Sequence, residues 1–194
     1  MARSTSQGLT TGLVAAAKLN MSDVETVKTG GFGEGVAALD LGLIDIAPVP
    51  DLIWIRSGAK LRPIATAEEV LPSLSNVLCV ATADATEKQG DKIRAIIRAR
   101  RRAVQFMNLQ PDEAANIIAR VNRIDPDATR ALVRKLLAVR VDGRPYWNEG
   151  RIYFDGINRM LKMQESIGNV TPPYDVEKVT DTRFLPDDLK EPVR

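Results

Sequence analysis

Histidine is missing altogether from the 194 residues, and cysteine occurs once. Without histidine there is no Ser-His-Asp or Cys-His catalysis and no imidazole metal site. A single thiol allows neither an intrachain disulfide nor a thiolate metal cluster. Nothing in the composition asks for a cofactor. Charge of one sign is also lacking. The formal net charge is +2, which gives no reason to expect nucleic acid or an anionic membrane surface as partner. No apolar run is long enough to span a bilayer, so direct membrane insertion is not expected. Met1 to Ser6 lacks the apolar core of a secretory signal.

What remains is an ordinary globular composition, 44% hydrophobic and 27% charged, sufficient for one large domain or two lobes. Apolar spacing predicts helices over 7–19 and 34–41 and a short one near 51–57. Between them, Val24–Thr29, Leu43–Val49 and Leu61–Ala65 read as strands, so residues 1–65 alternate α and β. That alternation predicts a small open lobe built on a parallel sheet. Residues 66–76 read as a linker and 77–82 as a further strand holding Cys79 in its core. The rest is helical: 91–108, a helix opened by Pro111, another opened by Asp125-Pro126, and 148–167 ending at Gly168. The inward stripes are Ile93, Ile96, Ile97, Val104 and Met107; Ile117, Ile118 and Val121; and Leu132, Val133, Leu136 and Leu137. A polar tail follows, anchored by Phe184-Leu185.

Three loops have chemistry suited to a small ligand. Ser4, Thr5 and Ser6 open a helix, where free N–H groups and the helix dipole favour an anion, although plain capping explains them too. The Gly30-Gly31-Phe32-Gly33-Glu34 loop lets backbone approach a ligand closely and offers Phe32 as a cover; a tight turn explains it as well. Its spacing is not a dinucleotide fingerprint. Val49, Pro50 and Asp51 lie just past the carboxyl end of a predicted strand, where α/β sheets bind ligands; Asp51 could instead cap the next helix. The basic run Arg98–Arg102 shares a helix with a regular apolar stripe and reads as a solvated face. Glu34, Asp45, Asp51, Asp142 and Glu149 are scattered, and no spacing pairs two of them beside a nucleophile.

Several segments in order resemble the second half of a periplasmic binding protein of the nitrate/sulfonate/taurine, NMT1/THI5-like, group. These are the serine-containing helix opening at Ser4–Thr11, the strand entry Asn20–Val24, the run Val36-Ala37-Ala38-Leu39-Asp40-Leu41-Gly42-Leu43-Ile44-Asp45, Asn108–Ala114, and the final Phe184-Leu185-Pro186. The resemblance implies a type II-like α/β fold with two lobes and a hinge. Residues 1–65 would form lobe II, 66–76 the hinge crossover, and 77–194 the mainly helical C-terminal part of lobe I. The first half of lobe I has no counterpart, which implies an N-terminally truncated member and accounts for the missing export signal.

The function implied is a solute-binding component of an ABC-type importer for a small anionic solute. A membrane permease would be its partner, the setting would be periplasmic or extracytoplasmic, and neither metal nor cofactor would be needed. By the same resemblance, Ser4, Thr5, Ser6, Gly31, Phe32, Glu34, Val49, Pro50 and Asp51 contact the ligand. An enzyme on the same scaffold, a desulfinase or pyrimidine-precursor synthase, is the rival; it needs a reactive histidine or cysteine in the cleft. The effector lobe of a regulator is a third reading, without a helix-turn-helix to support it. An incomplete sheet would also expose apolar edges, so self-association is expected.

Overall fold

The structure is a computed structural model that describes residues 5–57, 61–71 and 73–191. In chain order its helices are α1 (Thr5–Ala16), α2 (Phe32–Asp40), α3 (Asp51–Ser57), α4 (Ala67–Val70), α5 (Ala83–Lys88), α6 (Gly90–Leu109), α7 (Pro111–Asn122), α8 (Pro126–Ala138), α9 (Phe154–Ser166) and α10 (Val176–Val179). Strands β1 (Arg140–Val141) and β2 (Arg144–Pro145) form an antiparallel pair between α8 and α9. The chain divides into two compact units. One comprises Met1–Leu74 with Met160–Pro172, the other Ser75–Arg159 with Pro173–Arg194.

The second unit holds most of the buried apolar residues. Helix α7 turns Ala114, Ala115 and Ala119 inward, and α8 turns Leu132, Val133 and Leu136 inward. Small residues facing large ones let the two helices approach closely. This alters the expected stripe. Ile117 and Val121 point outward, because the alanine face makes the contact, and Ile96 of α6 is likewise exposed. Asp125 caps α8 as expected, accepting from the Ala128 N–H at 2.7 Å, with Pro126 at the first helical position. Thr129 is fully buried and donates its hydroxyl to the Asp125 carbonyl at 2.6 Å. Arg134 grips Asp112 with two hydrogen bonds, 3.0 and 2.7 Å, joining α8 to α7.

Helix α9 starts later than expected, at Phe154 rather than 148. Asp142 and Gly143 both take positive φ, +52° and +74°, and turn β1 into β2. That is the type I′ hairpin chemistry of an Asp-Gly pair. The chain reaches α9 only after a further turn at Gly150, φ +120°. The tail is anchored as expected through Phe184, with Leu189 also buried.

In the first unit, α1 packs on α4 through Gly12, and the last part of α9 crosses Gly8, where a Cβ would run into the Met163 sulfur. Helix α1 ends on Lys18, φ +59°, with Leu19 N–H bonding back to the Val14 carbonyl at 3.0 Å. Asn20 caps the following turn, its N–H donating to the Asp23 carboxylate at 2.8 Å. Gly42 ends α2 at φ +67°. Leu43 N–H bonds Ala38 at 2.9 Å and Gly42 N–H bonds Leu39 at 3.0 Å, which is a Schellman motif.

The expected parallel sheet is not formed among the described residues. Residues 24–29, 43–49 and 61–65 lie in neither helix nor ladder. Val27, Leu43, Ile46 and Ile64 are exposed there. Strand propensity is satisfied only against a neighbouring strand, and none of these segments is paired. The same holds for 77–82, so Cys79 is exposed rather than buried in a strand core. Residues 66–76, expected as a plain linker, include the one-turn helix α4. Thr66 caps it; its N–H donates to Glu69 at 2.6 Å and its hydroxyl to the same carboxylate at 3.0 Å.

Candidate functional site

Each expected ligand loop opens a helix of the first unit. Ser4 lies outside the described residues. Thr5 and Ser6 begin α1, whose first turn carries no acidic residue. The neighbouring hydroxyls are directed inward along the helix, Thr10 to the Ser6 carbonyl at 3.0 Å and Thr11 to the Gln7 carbonyl at 3.1 Å.

Gly31 is the residue before α2 and has no side-chain cap. Gly30 takes φ +100°, which a side chain tolerates poorly. Gly31 makes room for Glu34, whose carboxylate folds back over the glycine pair; a Cβ on Gly31 would strike it. Glu34 thus lies where the helix dipole favours a negative charge. Phe32 is half-buried in the first turn. Gly35 is buried, and a Cβ there would sit 3.6 Å from the Thr29 hydroxyl and 3.7 Å from the Ala47 methyl.

Pro50 provides the opening of α3, its carbonyl accepting from Ile53 N–H at 2.9 Å and Trp54 N–H at 3.0 Å. Asp51 is the first residue of that helix, and Val49 is half-buried before it. Trp54 follows one turn later, half-exposed, with its indole N–H on the Leu61 carbonyl at 3.3 Å. Helices α2 and α3 pack together, so Gly31, Phe32 and Glu34 belong to one packed pair with Val49, Pro50 and Asp51. Thr5 and Ser6 belong instead to the α1–α4 pair.

Gly33 stands apart from its neighbours. A Cβ there meets nothing within 4 Å, and its φ is not positive. Ala at an open helical position should stabilise the fold by about 0.5–1 kcal/mol. Gly33→Ala is therefore expected to raise the melting temperature. A lower affinity for solute in the same variant would show that the bare backbone at this turn is used for binding.

Of the other acidic candidates, Asp45 lies in the first unit, away from the three helix openings in sequence, while Asp142 and Glu149 lie in the second and are tied up in ion pairs. Asp142 meets Arg159 at 3.1 Å. Arg159 also meets Asp155 at 3.2 Å, and Arg144 donates to Asp155 at 2.6 Å while stacking 4.3 Å over Tyr153. The Arg144 hydrogen bond holds the Asp155 carboxyl below its usual range, against a smaller opposing effect of burial. A carboxyl lowered on folding stabilises the protein above its unfolded pKa, and that stabilisation is lost as pH falls through the folded one. Arg144→Met should therefore cost about 1 kcal/mol at neutral pH. The difference from wild type should shrink as denaturant melts are taken below about pH 4.

Glu149 accepts from Arg101 at 2.6 Å and Gln105 at 3.1 Å. Arg101 also grips Asp188 with two bonds, 2.9 and 2.7 Å, and Arg100 donates to the Asn148 carbonyl at 2.7 Å. The basic run of α6 is therefore only partly a solvated face, since Arg100 and Arg101 fasten the chain around 148–149 and the tail to the helix. No spacing rule in the sequence pairs residues so far apart.

The NMT1/THI5-like family model matches residues 2–114, which include all nine candidate residues. This is more than half of the chain, and the chain belongs to that family. Neither a curated protein nor a solved structure matched it. The family includes solute-binding proteins and THI5 synthases and implies a periplasmic-binding-protein-like α/β fold. Among the described residues, no helix is long and apolar enough to cross a membrane.

Proposed function

We propose that the chain acts as the solute-binding component of an ABC-type importer, capturing a small solute outside the cytoplasm for a membrane permease. Family membership carries this reading, and the three helix openings of the first unit support it. The expected ligand is anionic, of the nitrate, sulfonate or taurine type, and local charge refines that expectation. Carboxylates already occupy the first turns of α2 and α3, as Glu34 and Asp51, whereas the first turn of α1 has none. An acidic group suits the α1 opening near Thr5 and Ser6, and a donor group suits Glu34 and Asp51. An aminosulfonate or amino acid satisfies both; bare nitrate satisfies only the first.

An enzyme of the THI5 type is the second reading, because the family contains such enzymes. Against it, the chain has no histidine, and its one cysteine, Cys79, lies in sequence outside the three candidate loops. Trp54 provides the test. With Trp147→Phe in place, Trp54 is the sole tryptophan, and its emission should titrate with an aminosulfonate. Glu34→Gln should weaken that titration more than it weakens a plain sulfonate. An emission spectrum unmoved by sulfonates, carboxylates, nitrate and aminopyrimidines alike would remove the proposal.

A further inference from the structure

Helix α1 has a notch at Gly8, and the thioether of Met163 fills it. Gly8 is buried. A Cβ built on it would lie 2.8 Å from the Met163 methyl and 3.1 Å from its γ-carbon, and would strike the sulfur. Glycine leaves the space, and an unbranched, adaptable side chain occupies it. Gly12 lies one turn further on the same face, against the Val70 carbonyl and the Leu71 side chain. Of these two contacts, Met163 provides the one nearer the helix opening at Thr5 and Ser6.

We propose that Met163 is a site of reversible oxidation by peroxides, and that its sulfoxide unseats α1. The side chain is half-buried, so solvent reaches it. Its sulfur accepts no hydrogen bond from the described residues, whereas the Met160 sulfur accepts from the Gln164 amide at 3.8 Å. A lone pair of the Met163 sulfur attacks one oxygen of hydrogen peroxide, and the O–O bond breaks. That oxygen stays on sulfur, and its proton leaves with the departing hydroxide as water. Sulfur is oxidised by two electrons and the peroxide is reduced by two.

The product does not fit the notch. It carries an extra oxygen on the atom that lies against Gly8, in packing that leaves little room. That oxygen is polar, and burying it without a donor is costly. The nearby helix has few donors to give. The Thr10 and Thr11 hydroxyls already donate to the Ser6 and Gln7 carbonyls at 3.0 and 3.1 Å, and interior helix N–H groups serve their own carbonyls. Met21 is a contrast, being 39% exposed in a short turn where an added oxygen meets water. Unseating α1 also disturbs the opening at Thr5 and Ser6, so affinity for solute falls with it. That consequence rests on the solute-binding reading; the oxidation and the loss of packing do not.

The test is hydrogen peroxide treatment of the folded full chain carrying Cys79→Ser, which removes the exposed thiol as a competing target. Mass spectrometry locates the added oxygen, and the melting temperature is read without solute. An oxygen on Met163 is expected, with a melting temperature lower by about 2–4 °C. Methionine sulfoxide reductases should restore it. Adding Met163→Leu, a swap of similar volume, should abolish the response to peroxide, whereas Met160→Leu should retain it. A Met163 that stays unoxidised in the folded chain overturns the proposal. So does a Met163 sulfoxide that leaves the melting temperature unchanged, or a fall that persists in Met163→Leu. Should Met163→Leu itself melt low, the reductase decides: a melting temperature that does not recover as the Met163 sulfoxide disappears also overturns it. A reversible fall in a chain that binds no solute would support this proposal and remove the one on function.

Discussion

Replacing Phe154 by alanine should remove about 3–5 kcal/mol of stability, a large part of what a domain of this size possesses. Phe154 is the first residue of α9 and only 6% exposed. It is buried just where the chain turns from the loop after β2 into the helix, and Gly156 and Ile157 beside it are buried as well. Deleting the ring loses its transfer free energy and leaves a cavity that the backbone, held by the Ser75–Gly156 hydrogen bond and the Arg144–Asp155 pair, cannot readily close. Urea melts followed by circular dichroism should show the midpoint falling sharply with the native helical signal retained in buffer. An unchanged midpoint would mean that Phe154 is not in the core.

Gly12→Val should destabilise the first unit, by about 1–3 kcal/mol from overpacking. A Cβ on Gly12 would lie 2.7 Å from the Val70 carbonyl oxygen and 3.0 Å from the Leu71 side chain. The first contact is with backbone, which cannot swing aside as a side chain would. Valine should favour a helix over glycine by a few tenths of a kcal/mol; the steric term is larger and decides the sign. Gly33→Ala is the control, being the same residue type in the same unit with open space around it. The two should move the melting temperature in opposite directions, Gly12→Val down and Gly33→Ala up. Equal, small effects would contradict the packing of α1 on α4.

The helices of the second unit were legible because their signals are local. Pro111, Asp125-Pro126 and the Leu132–Leu136 stripe each act within a turn or two of themselves. The Asp142-Gly143 hairpin is equally local, an Asp-Gly pair followed by Arg-Pro-Tyr being a turn signal, and it holds the start of α9 back to Phe154. The strands failed for a different reason. Val24–Thr29 and Leu43–Val49 carry strand propensity, but a ladder depends on a neighbour that local sequence does not specify. Burial of Cys79 failed with them. Gly8 and Gly12 look like helix-weakening residues until Met163 and Val70 are seen against them.

At the candidate site, the sequence indicated the three helix openings and the structure gave each its local role. Glu34, read as a ligand contact, also closes over Gly30-Gly31 three residues after the cap, the position from which a glutamate reaches back. The association of Gly31–Glu34 with Val49–Asp51 came from the packing of α2 on α3, which no motif encodes. Thr5 and Ser6 stayed with a different helix pair, which is why an acid-binding end and a donor-binding end are assigned separately.

The measurement that bears most directly on the solute-binding reading is a melting-temperature series in the presence of aminosulfonates, sulfonates, amino acids, nitrate and aminopyrimidines. A ligand that binds only the folded chain should stabilise it by about 2.7 kcal/mol when present at a hundred times its dissociation constant. The expected result is a saturable rise with an aminosulfonate or amino acid that is reduced by Glu34→Gln. A melting temperature that no member of the series raises would contradict the account.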